Sequence, residues 1–364
     1  MSEPSGVSSV VMRPAPRRRG LAELRRLCDT GLGVDDFRAR SLRSVRSLIS
    51  VDAAFYSVVD AATMVMTSAL TEEPLASAAQ RFLDNEYGAD DVNKFTSLAD
   101  SVDPVGSLDA ATGGTRAASP RYRELMAGLG LGDEARAVLR SHGRCWGVLC
   151  LHREDGERGF DAEELALLRD VAPILGDGLR QGLAVSSVAS GKTISGGPGV
   201  LIVDAELSLV SANRQAQRWL ADVHESEWPP VVPLPVAVMA AAAAARDERD
   251  TDAAPPGRTR VRRAGGGWMT VHASRLSGHA SQTVVVLDAA GPDELASLVL
   301  EVHGLTPAQT RVAALVLRGR STQQIVNELG ISSHTVQEHL HAVFDKFGIG
   351  SRRELVAALS ARPR

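Results

Sequence analysis

Few residues in this chain combine the type and the spacing that chemistry needs. Cys145 and Cys150 stand five apart in a strand-like run, which directs them to opposite faces and leaves them unable to hold one metal ion together. With Cys28 they complete a set of three cysteines that fits neither a disulfide framework nor a zinc pattern. Gly191-Lys192-Thr193 has the end of a phosphate-binding loop, but Ser186 stands where the first glycine belongs and no strand leads into it. The run 186–198 reads better as an interdomain linker. His224 and His272 have the side chain to ligate haem iron, yet no supporting motif accompanies either, and an ordinary surface or strand histidine is the commoner case. No cysteine lies between Gly199 and Gly291 to support flavin–cysteine photochemistry. Without a Walker sequence, a metal cluster or a catalytic triad, the expectation is a protein that is not an enzyme, with no catalytic and no metal-binding residues. No cofactor can be named, and an unliganded module is an equal reading.

The elements that would position any site are set by length first. A chain of 364 residues exceeds one ordinary core and suits two or three domains. Hydrophobic residues at 44% and charged residues at 23% are globular proportions, and no apolar run could span a bilayer. A soluble protein of the reducing cytoplasm is expected. Arg13, Arg17, Arg18 and Arg19 beside Pro14 and Pro16, with no apolar run behind them, read as a disordered basic tail over 1–20. Only Lys94, Lys192 and Lys346 are lysine among 40 basic residues, and alanine and valine abound, which points to a GC-rich bacterial genome. The net charge is −4, yet from Leu305 onward eight basic residues face four acidic ones, so that the rest of the chain carries −8. A polyanion-binding module on an acidic body shows this asymmetry.

Start and stop residues draw four helices after Leu305. Thr306 with Pro307 and Gln309 forms an N-terminal capping box, and the first helix runs through Val312, Leu315 and Val316 to a stop at Gly319. Ser321 with Gln324 opens a second, short helix through Ile325 and Leu329 to Gly330. Ser332 or Ser333 caps a third, whose Val336, Leu340, Val343, Phe344 and Phe347 form a buried stripe before Gly348. Ser351 and Glu354 start a fourth through Leu355, Val356 and Leu359. Two helices joined by a short turn at Gly330, the second polar on its outer face, make a helix-turn-helix.

These residues resemble the LuxR-type (GerE-like) regulators: Leu305-Thr306-Pro307, Gly319, Ser321, Ile325, Leu329-Gly330-Ile331-Ser332, Thr335-Val336, His339, Lys346, Gly348 and Ser351-Arg352 fall at the family's spacing. The match departs at Gln309, where the family usually has Glu, and at Gln337, where it usually has Lys. The resemblance implies a sequence-specific transcription regulator that binds double-stranded DNA as a homodimer through its last helix, with the third helix in the major groove. It places Gln337, Glu338 and His341 at base edges, where Gln matches adenine and Glu accepts from the cytosine amino group. Ser321, Thr322, Gln323, Ser332, Ser333, Thr335, Lys346 and Arg352 become candidate phosphate contacts, since hydroxyls and helix N-termini reach phosphate as cations do. His339 is expected to pack or bond locally. With one lysine on the face, a single copy should bind weakly.

Residues 199–211 read as two short strands around a turn, followed by a helix over 212–220, an alanine-rich stretch, and strands at 259–263, 268–274 and 283–287. This order and the 204–213 and 267–268 segments look like a PAS domain. Upstream, an amphipathic helix over 34–50, strands at 53–60, 64–70, 136–140 and 146–152, and a helix from Phe160-Asp161-Ala162-Glu163-Glu164 resemble a GAF domain. Asn93-Lys94-Phe95 matches part of the cyclic-nucleotide signature of some GAF domains, but Ala99 and Asp100 stand where its Asp-Glu pair belongs. Leu165, Leu168, Ala172, Leu175 and Leu179 have a near-heptad spacing, open to pairing two protomers or to packing within the domain, with a kink at Pro173.

The expectation is a multidomain chain: two α+β sensor domains with antiparallel sheets, GAF-like over 21–185 and PAS-like over 199–290, a connecting helix over 291–304, and an all-α four-helix helix-turn-helix domain over 305–364. A small-molecule effector is a candidate partner, as is RNA polymerase in the alternative where the protein acts by contact without sensing. A receiver domain is disfavoured because its alternating parallel α/β pattern with strand-end aspartates is missing from the sequence.

Overall fold

The computed structural model describes residues 14–187, 197–224, 234–246, 257–276 and 278–360. Its first helix corrects the expected basic tail: Pro14–Cys28 forms α1. Prolines in a helix's first turn sacrifice no internal hydrogen bond. Arg17 pairs with Asp170 at 2.6 Å, Gly20 lies against Leu48, and Leu24 is fully buried, so the segment is anchored by packing that its composition does not advertise. Residues 1–13, like Gly191-Lys192-Thr193, lie outside the described residues.

The N-terminal domain continues with α2 (Val34–Arg46), β1 (Ala53–Val59), β2 (Met66–Thr71), α3 (Ala79–Gly88), α4 (Phe95–Asp100), β3 (Val105–Ser107), α5 (Leu108–Thr112), β4 (Leu131–Ser141), β5 (Arg144–Glu154) and α6 (Ala162–Ser187). The strands form an antiparallel sheet in the order β2-β1-β5-β4-β3. Helices α1, α2 and α6 cover one face and α3 and α4 the other, so central β1 is buried along its whole length. The near-heptad residues of α6 resolve to packing within the domain: Leu165, Leu168, Ala172, Leu175 and Leu179 are all buried there. Helix α6 runs through Pro173 as one element.

Gly176 explains how close α6 lies to the sheet. A Cβ at this position would come within 2.8 Å of the backbone carbonyl of Arg140 on β4, atoms that cannot swing aside. Alanine would gain about 1 kcal/mol in helix propensity, against an overpacking cost of about 1–3 kcal/mol. Gly176→Ala should therefore lose up to about 2 kcal/mol in chemical denaturation. Gly88→Ala, at the end of α3 where the added atom meets open space, should instead gain up to about 1 kcal/mol.

The second sheet domain comprises β6 (Gly199–Val203), β7 (Leu209–Ala212), α7 (Arg214–Leu220), α8 (Val236–Ala244), β8 (Arg258–Arg262), β9 (Trp268–Leu276) and β10 (His279–Ala289). Its antiparallel order, β7-β6-β10-β9-β8, repeats that of the first sheet. Asn213 caps α7 by accepting from the Ala216 amide at 2.7 Å. The alanine-rich stretch becomes α8, whose nine residues are all buried because β8, β9 and β10 pack on one side and β2 and α3 of the N-terminal domain on the other. An apolar helix without a polar face belongs in such a slot.

The chain ends with α9 (Pro292–Val302), α10 (Pro307–Leu317), α11 (Thr322–Leu329), α12 (Ser333–Phe347) and α13 (Arg352–Ser360) around a separate core that includes Leu305, Val312, Ile325, Val336, Leu340 and Leu355.

Candidate nucleic-acid interface

The C-terminal helices form where their caps dictate. Thr306 Oγ1 accepts from the Gln309 amide at 3.3 Å, and Gln309 Oε1 accepts from the Thr306 amide at 3.1 Å. Ser321 and Gln324 repeat the box at the start of α11. Gly330 then takes φ +65, a left-handed turn that glycine adopts without steric cost, and Ser332 caps α12 through the Thr335 amide at 3.0 Å. Ser333 is the first residue of α12 rather than its cap. Buried Val336, Leu340 and Val343 pin α12 inward, which turns His334, Gln337, Glu338, His341 and Asp345 out on the opposite face.

On this face the three expected base-facing residues, Gln337, Glu338 and His341, are brought together and exposed. Gln337 and His341 make no side-chain hydrogen bond among the described residues, and Glu338 lies 3.5 Å from His334 Nε2 one turn away. His339 is half-buried. Of the expected phosphate contacts, Ser321 and Ser332 serve as caps, Thr335 Oγ1 lies 2.9 Å from Ser332 Oγ, Gln323 donates to Asn327 Oδ1 at 3.3 Å, and Thr322 and Ser333 stand at the starts of α11 and α12.

The two cations assigned from sequence are used differently from expectation. Lys346 Nζ donates to the Gly304 carbonyl at 2.5 Å and to Gln309 Oε1 at 2.9 Å, tying the end of α12 to the entry of α10. Partial burial, helped by the charge of Arg180, holds its pKa below the usual lysine value. Gln309, the departure from the family pattern, thus accepts from both the Thr306 amide and Lys346. Arg352 donates to the Arg320 carbonyl. Both residues read as available cations in the sequence, because spacing carries no information on partners 32 to 42 residues upstream. Exposed Arg311, Arg318, Arg320 and Arg353 were counted only as charge, and Arg320 immediately precedes the α11 cap.

Behind this face, α9 joins all three parts of the molecule. Arg260 of β8 places Nε 2.9 Å from Asp60 Oδ2, and its Nη2 donates to Asp60 Oδ1 at 2.6 Å and to Glu301 Oε2 at 2.8 Å. All three side chains are at least nine-tenths buried. Burial works to raise the Asp60 carboxyl, but Arg260 outweighs it and holds the pKa below 3.8. Arg144, at the start of β5, lies 3.9 Å from Glu301, and Arg180 of α6 donates to the Val302 carbonyl at 2.6 Å. At the end of α9, His303 stacks on Phe347 with ring centroids 4.3 Å apart. His224, weighed as a haem ligand, instead meets Asp35 of α2 at 2.7 Å, and His272 is exposed on β9.

A second polar cluster lies inside the N-terminal sheet, against α3 and α4. Arg136 Nη1 donates to Glu86 Oε2 at 2.7 Å and its Nε lies 3.0 Å from Glu134 Oε1, while Arg121 Nε donates to Glu134 Oε2 at 2.8 Å. Arg136 also sits over the rings of Phe82 and Phe95. Lys94 donates to the Asn85 and Ala89 carbonyls at 2.6 Å, so the Asn93-Lys94-Phe95 segment is tied into this packing. The cysteine geometry needs correction: a bulge opposite Leu139/Arg140 shifts the face of β5, and Cys145 and Cys150 reach the same core, with Trp146 and Leu149 on the other side.

An exposed recognition helix behind a capped turn defines the class, a helix-turn-helix DNA-binding protein. Residues 303–359 match the model of bacterial regulatory proteins of the luxR family, and residues 39–177 match that of the GAF domain. The chain thus carries a LuxR-type DNA-binding domain over its C-terminal helices and a GAF domain in its N-terminal half. Among solved structures it is similar to a phage VqmA–DPO complex, at 20% identity over 46% of this chain and 85% of that chain with a TM-score of 0.19. The Vibrio cholerae VqmA–ligand–DNA complex is similar at 20% identity over 46% and 83%, with a TM-score of 0.20. The bacteriophytochrome RpBphP3 of R. palustris shows 12% identity over 79% and 64%, with a TM-score of 0.33. No curated protein matches the chain. Among the described residues no helix is long and apolar enough to cross a membrane.

Proposed function

We propose that the protein is a one-component transcription regulator in which the GAF domain and a PAS-like second sheet domain respond to a small molecule or partner, and a dimer of C-terminal domains reads DNA sequence. The observation that carries this reading is the exposed trio Gln337, Glu338 and His341 on a helix whose domain is fastened, through Glu301 and Arg260, to both sheets. Movement between the sheets would be felt at α9 and hence in how two recognition helices meet successive grooves. Phosphate contact falls to Ser321, Thr322, Gln323, Ser332, Ser333 and Thr335 at the starts of α11 and α12, joined by Arg320. Lys346 and Arg352 act as internal ties.

Two substitutions test the assignment. Glu338→Ala should change base preference at one position by about 1–3 kcal/mol in selection against randomised duplexes. Lys346→Ala should leave the salt slope of binding unchanged, since a lost phosphate contact would lower it by about one. Footprinting that finds no protected sequence would favour the second reading, a regulator acting through protein contact such as RNA polymerase. Equal, sequence-neutral losses for both variants would remove the base-reading role of α12.

A further inference from the structure

We propose that Glu134, Cys150 and His152 form a binding site for one first-row divalent transition-metal ion inside the GAF domain, against the expectation of no metal from sequence. Cys150 and His152 are two apart on β5 and so share a face, and Glu134 is the direct cross-strand partner of His152 on β4. Their donor atoms all lie within 4.8 Å of one another, and each residue is at least 99% buried.

The second observation is what these atoms lack. Neither ring nitrogen of His152 has a hydrogen-bond partner, and Glu134 Oε1, ion-paired with Arg136 Nε at 3.0 Å, accepts no well-aligned hydrogen bond. A histidine sealed in a core with both nitrogens unmet is costly unless something else engages it. His152 Nε2 and Glu134 Oε1 are 3.7 Å apart, too far for a hydrogen bond. Bonds of about 2.0–2.2 Å to a tetrahedral ion would set two ligand atoms roughly 3.4 Å apart, near the spacing found.

The donors are also in the right states. Burial pushes the His152 pKa down to about 4, leaving a neutral imidazole, while Arg121 and Arg136 overcome burial to keep Glu134 ionised. Burial raises the Cys150 thiol, which coordination would deprotonate. The neighbouring charges select the ion. Lys94, Arg121 and Arg136 balance Glu86, Asp91 and Glu134, so a divalent ion that displaces the thiol proton adds one positive charge to this interior. Hard ions such as Mg2+ and Ca2+, bound by charge alone, are disfavoured, whereas thiolate and imidazole give borderline ions their affinity. An anion in the fourth position would restore neutrality, and Arg136 Nη2 is an unpaired buried donor of the same cluster.

Co2+ is the probe. The full chain, stripped with chelator and titrated with Co2+, should bind one ion with a thiolate-to-cobalt charge-transfer band that Zn2+ bleaches. Cys150→Ser should abolish that band. The Cys28→Ser/Cys145→Ser double variant, which leaves Cys150 as the sole thiol, should keep it, and this arm stands even if Cys150→Ser fails to fold. Co2+ uptake without the band, as exposed His334 and Glu338 could give, or loss of the band in the double variant, would overturn the assignment.

Discussion

Arg260→Met is expected to destabilise the folded protein by about 3–5 kcal/mol, because it leaves two buried carboxylates, Asp60 and Glu301, without their common cation. The triple variant Asp60→Asn/Arg260→Met/Glu301→Gln should recover much of that loss, since no uncompensated charge then remains inside. Denaturation curves across pH add a signed check. The folded pKa of Asp60 is depressed, so its share of stability is fully present above 3.8 and disappears as pH falls through the lower folded value. The gap between wild type and Arg260→Met should be widest at neutral pH and narrow as pH falls, starting above the usual carboxylate range, because burial without Arg260 raises the variant's carboxyls and lets them take up protons first. A loss under about 1 kcal/mol would mean that the three groups are solvated.

Arg136→Met is expected to cost a similar amount, about 3–5 kcal/mol, by a different route. Here Glu86 on α3 and Glu134 on β4 lose their shared guanidinium, and the rings of Phe82 and Phe95 lose the cation lying 5.5 and 4.5 Å from their centroids. Since Arg136 holds α3 and α4 to the sheet, thermal unfolding of the joined sheet domains should move down by about 10 °C. A shift of only about 1 °C would show that the cluster contributes packing volume and little charge pairing.

The two substitutions bracket what sequence makes legible. Helix ends in the C-terminal domain were readable because a cap is a local event: Thr306, Ser321 and Ser332 act on amides three residues away, and their geometry follows from spacing. Central strands were readable from apolar alternation. Glu134 and Arg136 were not, because on β4 they alternate with Ala135 and Ala137 and imitate a strand with one wet face. Only α3, α4 and Arg121, brought over from distant sequence, turn that face into an interior. The exposed trio Gln337, Glu338 and His341 was legible as a helix face, whereas the inward use of Lys346 depends on Gly304, forty-two residues upstream.

The alanine helix α8 has a consequence for how the molecule can be taken apart. Its nine residues are solvated nowhere, because two sheets that sequence divides into separate domains close over it from both sides. A GAF segment excised at the apparent border would bare β2 and α3, and the second sheet alone would present an oily cylinder to water. The two sheet domains are thus welded into a single folding unit despite their beads-on-a-string order. Grafting one of them onto another regulator would carry half of a shared interior with it.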